Sequence, residues 1–115
     1  MSARSQTWLW VAQRASAALL ALCVLVHLAT IIYATRSGIS AAEILGRTNG
    51  NTGWLAFYSL FVLACAVHAP IGLRTVLREW AGWRGRGCDA AMWMFAAFLA
   101  WAGMRAVLAV TGAVN

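Results

Sequence analysis

The feature that most constrains this chain is a run of 21 residues, Ala15 to Thr35, without one charged side chain; apolar character begins earlier still, at Trp8. At about 1.5 Å per residue such a run, coiled as a helix, covers the roughly 30 Å hydrocarbon core of a bilayer. Hydrocarbon offers no water to backbone amides, so the segment must satisfy its own hydrogen bonds, and a helix does so. A second uncharged stretch runs from Thr48 to Leu73, densely apolar from Trp54, and a third from about Ala90 to Thr111, interrupted by Arg105. The pattern predicts an all-α integral membrane protein, a bundle of three transmembrane helices over about 8–34, 54–78 and 90–111 in a single membrane domain, 1–115. Composition excludes most soluble alternatives: 63% of residues are hydrophobic and 10% charged, against roughly a quarter charged in a soluble domain.

Residues 35–52, with Gly38, Gly46 and Gly50 and with Gly53 just beyond, read as a polar loop containing a short helical piece at Ser40 to Leu45, and residues 79–89 as a second loop. Three crossings put Arg4, Arg14, Arg74, Arg78, Arg84 and Arg86 on one side, and Arg36, Arg47 and Arg105 on or near the other. The positive-inside bias then places the N-terminus in the cytoplasm and the C-terminus outside. Trp8, Trp10, Trp54, Trp80 and Trp83 fall at span ends, where interfacial aromatics belong. The net charge of +6 comes from arginines scattered singly between apolar runs, not the clustered face that nucleic acid needs, so no nucleic-acid partner is expected. Cys23, Cys65 and Cys88 lack metal or disulfide spacing, and the two inside apolar runs, Cys23 and Cys65, read as packing residues. No small-residue cleavage site follows the first apolar run, so no signal peptide is expected.

His27 and His68 are the only histidines, and both fall within spans. An ionisable ring in hydrocarbon is costly unless it is paired, hydrated or bound, which leaves ligation, proton transfer or a polar contact with a quinone, beside a plain core role. On the helical wheel Gln13, Ser16, Cys23, His27 and Thr30 share an arc of about 100°, the face such polar groups turn to a bundle interior. Around His68 the shared face holds Phe61, Ala64, Cys65, Gly72 and Thr75. Gly72, one turn beyond the histidine, leaves a gap suited either to a flat macrocycle or to close helix packing. Pro70 removes a backbone donor beside the histidine, so a kink is expected there. Two imidazoles on opposite faces of an iron make a six-coordinate haem suited to electron transfer. Counted from Arg14 and Arg78, His27 and His68 stand about 20 Å and 15 Å above the charged side; counting from Arg74 instead widens their difference to about 10 Å.

The segment His68-Ala69-Pro70-Ile71-Gly72-Leu73-Arg74, followed by Glu79, resembles the H-x-x-x-G-[IL]-R motif of the cytochrome b anchor subunits of succinate dehydrogenase and fumarate reductase. Gln13-Arg14-Ala15-Ser16-Ala17 is similar to that family's H-R-x-[ST]-G segment, with Gln13 and Ala17 departing from it, and Val26-His27-Leu28 is similar to a first-helix haem-ligand segment. The resemblance covers about Gln13 to Glu79. It implies a haem-b anchor subunit that passes electrons between an iron-sulfur subunit and membrane quinone. His68 and His27 would ligate the haem iron, with Gly72 and Arg74 also binding the cofactor, and Arg14, Ser16 and Trp10 would line a quinone site. Trp10 stands where some members carry a quinone-binding serine, and Thr75 where some carry a second histidine. The implied partners are an iron-sulfur and a flavoprotein subunit on the cytoplasmic face, membrane lipid, and a second anchor subunit or second copy. The implied setting is a bacterial inner membrane, and the chain is non-catalytic on its own.

Two other readings stay open: a non-redox scaffold whose histidines only bridge helices, and a pigment-binding subunit in which each histidine holds a chlorophyll-type magnesium. A proton-coupled exporter fits poorly because no acid lies within a span, and two histidines complete one bis-histidine haem per chain at most.

Overall fold

A computed structural model describes residues 2–112; residue 1 and residues 113–115, the ends of the expected domain, lie outside the described residues. Four helices follow in order: α1 (Ala3–Arg36), α2 (Ala41–Thr48), α3 (Thr52–Glu79) and α4 (Arg86–Thr111). The three long ones, of 34, 28 and 26 residues, are each apolar enough to cross a membrane, as expected of an all-α bundle. The starts of α1 and α3 lie before their apolar runs because polar caps set them. Ser2 accepts from the Ser5 N–H at 3.2 Å and starts α1 well before Trp8, while Asn51 Oδ1 accepts from the Trp54 N–H at 3.1 Å and starts α3. Each cap answers one of the amides that a helix start leaves without a partner. Ser40 and Glu43 begin α2 in the same manner, and that helix continues to Thr48, past the expected end at Leu45.

α3 is the middle layer. It packs against α1 on one side and α4 on the other, while α1 and α4 barely meet. The core is narrow and built largely of small groups: Ser16 and Cys23 from α1, Ala64, Ala66, Pro70 and Arg74 from α3, and Cys88, Met92, Val107 and Thr111 from α4. Small residues suit helices in lipid, where association depends on close packing because lipid tails are as apolar as leucine. Gly103 of α4 marks a close approach to α3, since a Cβ there would stand 2.5 Å from Val62 Cγ1. α3 stays helical through Pro70, which is fully buried.

At the end away from the N-terminus, the loop is tied to α4. Thr48 Oγ1 donates to the Val110 carbonyl at 2.8 Å, and the Gly50 N–H donates to the Thr111 carbonyl at 2.8 Å. These bonds answer carbonyls that the helix terminus leaves free, and Gly112, at φ +73°, makes the left-handed turn that closes α4. Trp8, Trp10, Trp80 and Trp83 are exposed at helix ends, as interfacial anchors should be. Trp54 differs: it is half-buried and stacks on Tyr58 with ring centres 5.6 Å apart.

Candidate functional site

α1 and α3 meet through two polar contacts at different levels. Ser16 Oγ lies 3.4 Å from His68 Nδ1, and Tyr58 Oη lies 3.2 Å from His27 Nδ1. Moving up α1 from Ser16 to His27 means moving back along α3 from His68 to Tyr58, as antiparallel neighbours require. Eleven residues separate Ser16 from His27, so the two contacts stand about 16 Å apart along the bundle.

That separation bears on the expectation that both histidines ligate one iron. Metal–imidazole bonds are about 2 Å long, so two axial rings on one metal must bring their nitrogens within roughly twice that distance. Rings about three turns apart on packed helices stand farther apart than that. Among the described residues no group of three or more His, Cys, Asp or Glu side chains could hold a metal ion. A single His68 ring remains a suitable axial donor: its Nδ1 is held by Ser16, and Nε2 has no hydrogen-bond partner among the described residues. A ring nitrogen bonded to an outer partner while the other stays open is the arrangement that metal-ligating histidines adopt.

Gly72 and Arg74, the other two residues expected beside the cofactor, each meet a side chain of this same protein. The space above Gly72 is taken by Gln13, whose Nε2 lies 3.3 Å from where a Cβ would be, so the glycine admits a side chain of α1. Arg74 is 6% exposed and its Nε donates to Asp89 Oδ1 at 2.7 Å, which ties α3 to the start of α4. A buried guanidinium needs such a partner, because an unpaired charge there carries a large desolvation penalty. Gln13 Oε1 is buried without a hydrogen-bond partner, so an unanswered acceptor sits one turn from Ser16.

The three residues expected at a quinone site divide into two groups. Arg14 and Trp10 are both exposed and adjacent, with the guanidinium 5.4 Å from the indole centre, a cation–π pair. Ser16 is buried on another face of α1, against His68. Arg14 and Trp10 therefore form a rim at the N-terminal end of the bundle, while Ser16 belongs to the interior.

His27 lies in an aromatic setting, edge-on to Tyr58 and Phe61 with both ring centres 5.7 Å away. It borders a cleft of ≈ 470 Å³ whose walls include Phe61, Val62, Cys65, Gly103 and Val107, and a second of ≈ 300 Å³ that reaches Arg47 and Trp54. The first exists because α1 and α4 flank α3 without closing on each other. Tyr58 and Asp89 were not among the expected site residues. Tyr58 carried a faint signal, lying ten residues before His68 in a run with Trp54, Phe57 and Phe61. Asp89 carried only its sign, as the one acid at the start of the third span.

The fold and site together define a small three-span membrane protein with a histidine held between its first two spanning helices and an arginine rim at its N-terminal end. The chain belongs to the succinate dehydrogenase/fumarate reductase transmembrane subunit family, whose sequence pattern it matches over residues 1–104. No curated protein and no solved structure matches it.

Proposed function

We propose that this chain is the haem-b-carrying anchor of a succinate dehydrogenase/fumarate reductase-type complex and passes electrons between an iron-sulfur subunit and membrane quinone. The observation that carries this reading is His68: it sits inside a span of a chain of this family, with Nδ1 engaged by Ser16 and Nε2 open. Bound there, the haem supplies one-electron chemistry. A second protein ligand to the iron would then come from another chain, a second anchor subunit or a second copy, because His27 stands about 16 Å from His68 along the bundle. His27 is proposed instead as a tie between α1 and α3 through Tyr58 that faces the apolar cleft.

Arg14 and Trp10 supply the quinone contact. An exposed guanidinium beside an indole offers a flat ring a face to pack on and N–H donors for its carbonyl oxygen, stabilising negative charge as the ring is reduced. Arg78, Arg84 and Arg86 lie at the same end and offer cations to an extrinsic iron-sulfur subunit, with a flavoprotein subunit beyond it. That end faces the cytoplasm of a bacterial inner membrane by the positive-inside bias. A reduced-minus-oxidised spectrum of the purified complex tests the reading. Sharp b-type bands, with iron-sulfur and flavoprotein subunits co-purifying, are expected; a preparation with those subunits and no haem bands overturns the haem assignment, and chlorophyll-type bands would favour the pigment alternative.

A further inference from the structure

Ser16 is buried, and its single hydroxyl proton has two possible destinations: the Gln13 carbonyl at 3.1 Å and His68 Nδ1 at 3.4 Å. The carbonyl only accepts, so the shorter contact commits the Ser16 proton to it. The serine oxygen then presents a lone pair to His68, and the nitrogen facing a lone pair must carry the hydrogen. The opposite arrangement, with Ser16 donating to Nδ1, would place the ring proton on Nε2, which has no acceptor among the described residues. Within a membrane span, hydrocarbon offers no acceptor to an N–H that the protein leaves without one, and that is unfavourable. Two arguments, one from the serine and one from the far side of the ring, therefore select the same tautomer.

We infer that Ser16 is a positioning residue for His68: through the bond it donates to Gln13 it holds the imidazole as the Nδ1–H tautomer and leaves the Nε2 lone pair free for a metal. This departs from the quinone contact that the family resemblance implies for Ser16, and its consequence for haem rests on the proposed function. Outer partners of ligating histidines fix ring orientation and raise ligand basicity, and their loss typically lowers metal affinity by about 10- to 100-fold. Removing the Ser16 oxygen should weaken haem retention by a factor in that range. It should also raise the haem reduction potential, because a less basic ligand stabilises the ferric state less.

The experiment uses the full chain with 15N-labelled histidine, first without haem in lipid nanodiscs and then in the purified complex. His68 signals are assigned by their loss in His68→Ala. The wild-type ring should carry its proton on Nδ1; Ser16→Ala should shift population to Nε2–H; Ser16→Thr, which keeps a hydroxyl, should restore the wild-type form. In the complex Ser16→Ala should show the raised potential and Ser16→Thr should not. A wild-type ring protonated on Nε2, or a tautomer unchanged in Ser16→Ala, overturns the inference. Haem retained in His68→Ala would instead remove the haem assignment, and the tautomer measurement would still decide what Ser16 does.

Discussion

The packing of Gly103 against Val62 gives the most quantitative prediction. A methyl group added at Gly103 would stand 2.5 Å from Val62 Cγ1, 3.0 Å from Cγ2 and 3.3 Å from Cβ. Carbon atoms pack at about 3.5–4.0 Å, so the nearest pair must separate by roughly 1 Å. Val62 cannot simply rotate away, because a β-branched side chain in a helix has one strongly preferred χ1 rotamer. α4 cannot slide freely either, since its far end is bonded through Val110 and Thr111 and its near end is tied by Asp89 to Arg74. Over-packing of this kind costs about 1–3 kcal/mol, and Gly103→Ala should fall in the upper half of that range. Reversible unfolding in mixed micelles measures it. The double variant Gly103→Ala/Val62→Ala should recover at least about half the loss, because removing both Cγ atoms leaves only the Cβ contact, and contacting residues couple by about 0.5–3 kcal/mol. A Gly103→Ala chain within about 0.5 kcal/mol of wild type, the range of a neutral surface change, would refute the reasoning, as would a double variant no better than the single one.

Other perturbations follow from the same packing. Asp89→Leu strands the buried Arg74 guanidinium and should cost about 3–5 kcal/mol in the same unfolding assay; Arg74→Met strands the more exposed Asp89 and should cost less. Tyr58→Phe removes the hydroxyl facing His27 and should cost about 1–3 kcal/mol while leaving haem content unchanged, as measured by absorbance per chain. Arg14→Leu should depress quinone reduction more than reduction of a soluble dye by the extrinsic subunits; equal loss of both would mean that Arg14 serves assembly.

The spans were legible because a bilayer leaves a charge-free apolar run little choice but a helix, and Ala15 to Thr35 could scarcely be anything else. The exact ends were less so, because single cap residues such as Ser2 and Asn51 set them outside the apolar runs. The two histidines stand farther apart in height than counting from the arginines gives, for a specific reason. Counting from Arg14 and Arg78 assumes that those arginines lie at one height, whereas the register follows from Ser16 meeting His68, which sets Arg14 about 12 Å above Arg78. Arg74 was a poor depth marker as well, since pairing with Asp89 lets it lie buried instead of reaching water. Gly72 was ambiguous in principle: a missing Cβ announces a gap without saying what fills it, and Gln13 of another helix does. Such pairings depend on how helices rotate against one another, and local spacing carries no direct record of that.

The measurement that bears most directly on the account is haem content per chain in the purified complex, compared between His27→Ala and His68→Ala. With His68 as this chain's only iron ligand, His68→Ala should lose the b-type haem that depends on it, and His27→Ala should keep haem at the wild-type ratio. Loss of that same haem in both variants, with each chain still folded in the membrane, would contradict the register on which the proposal stands.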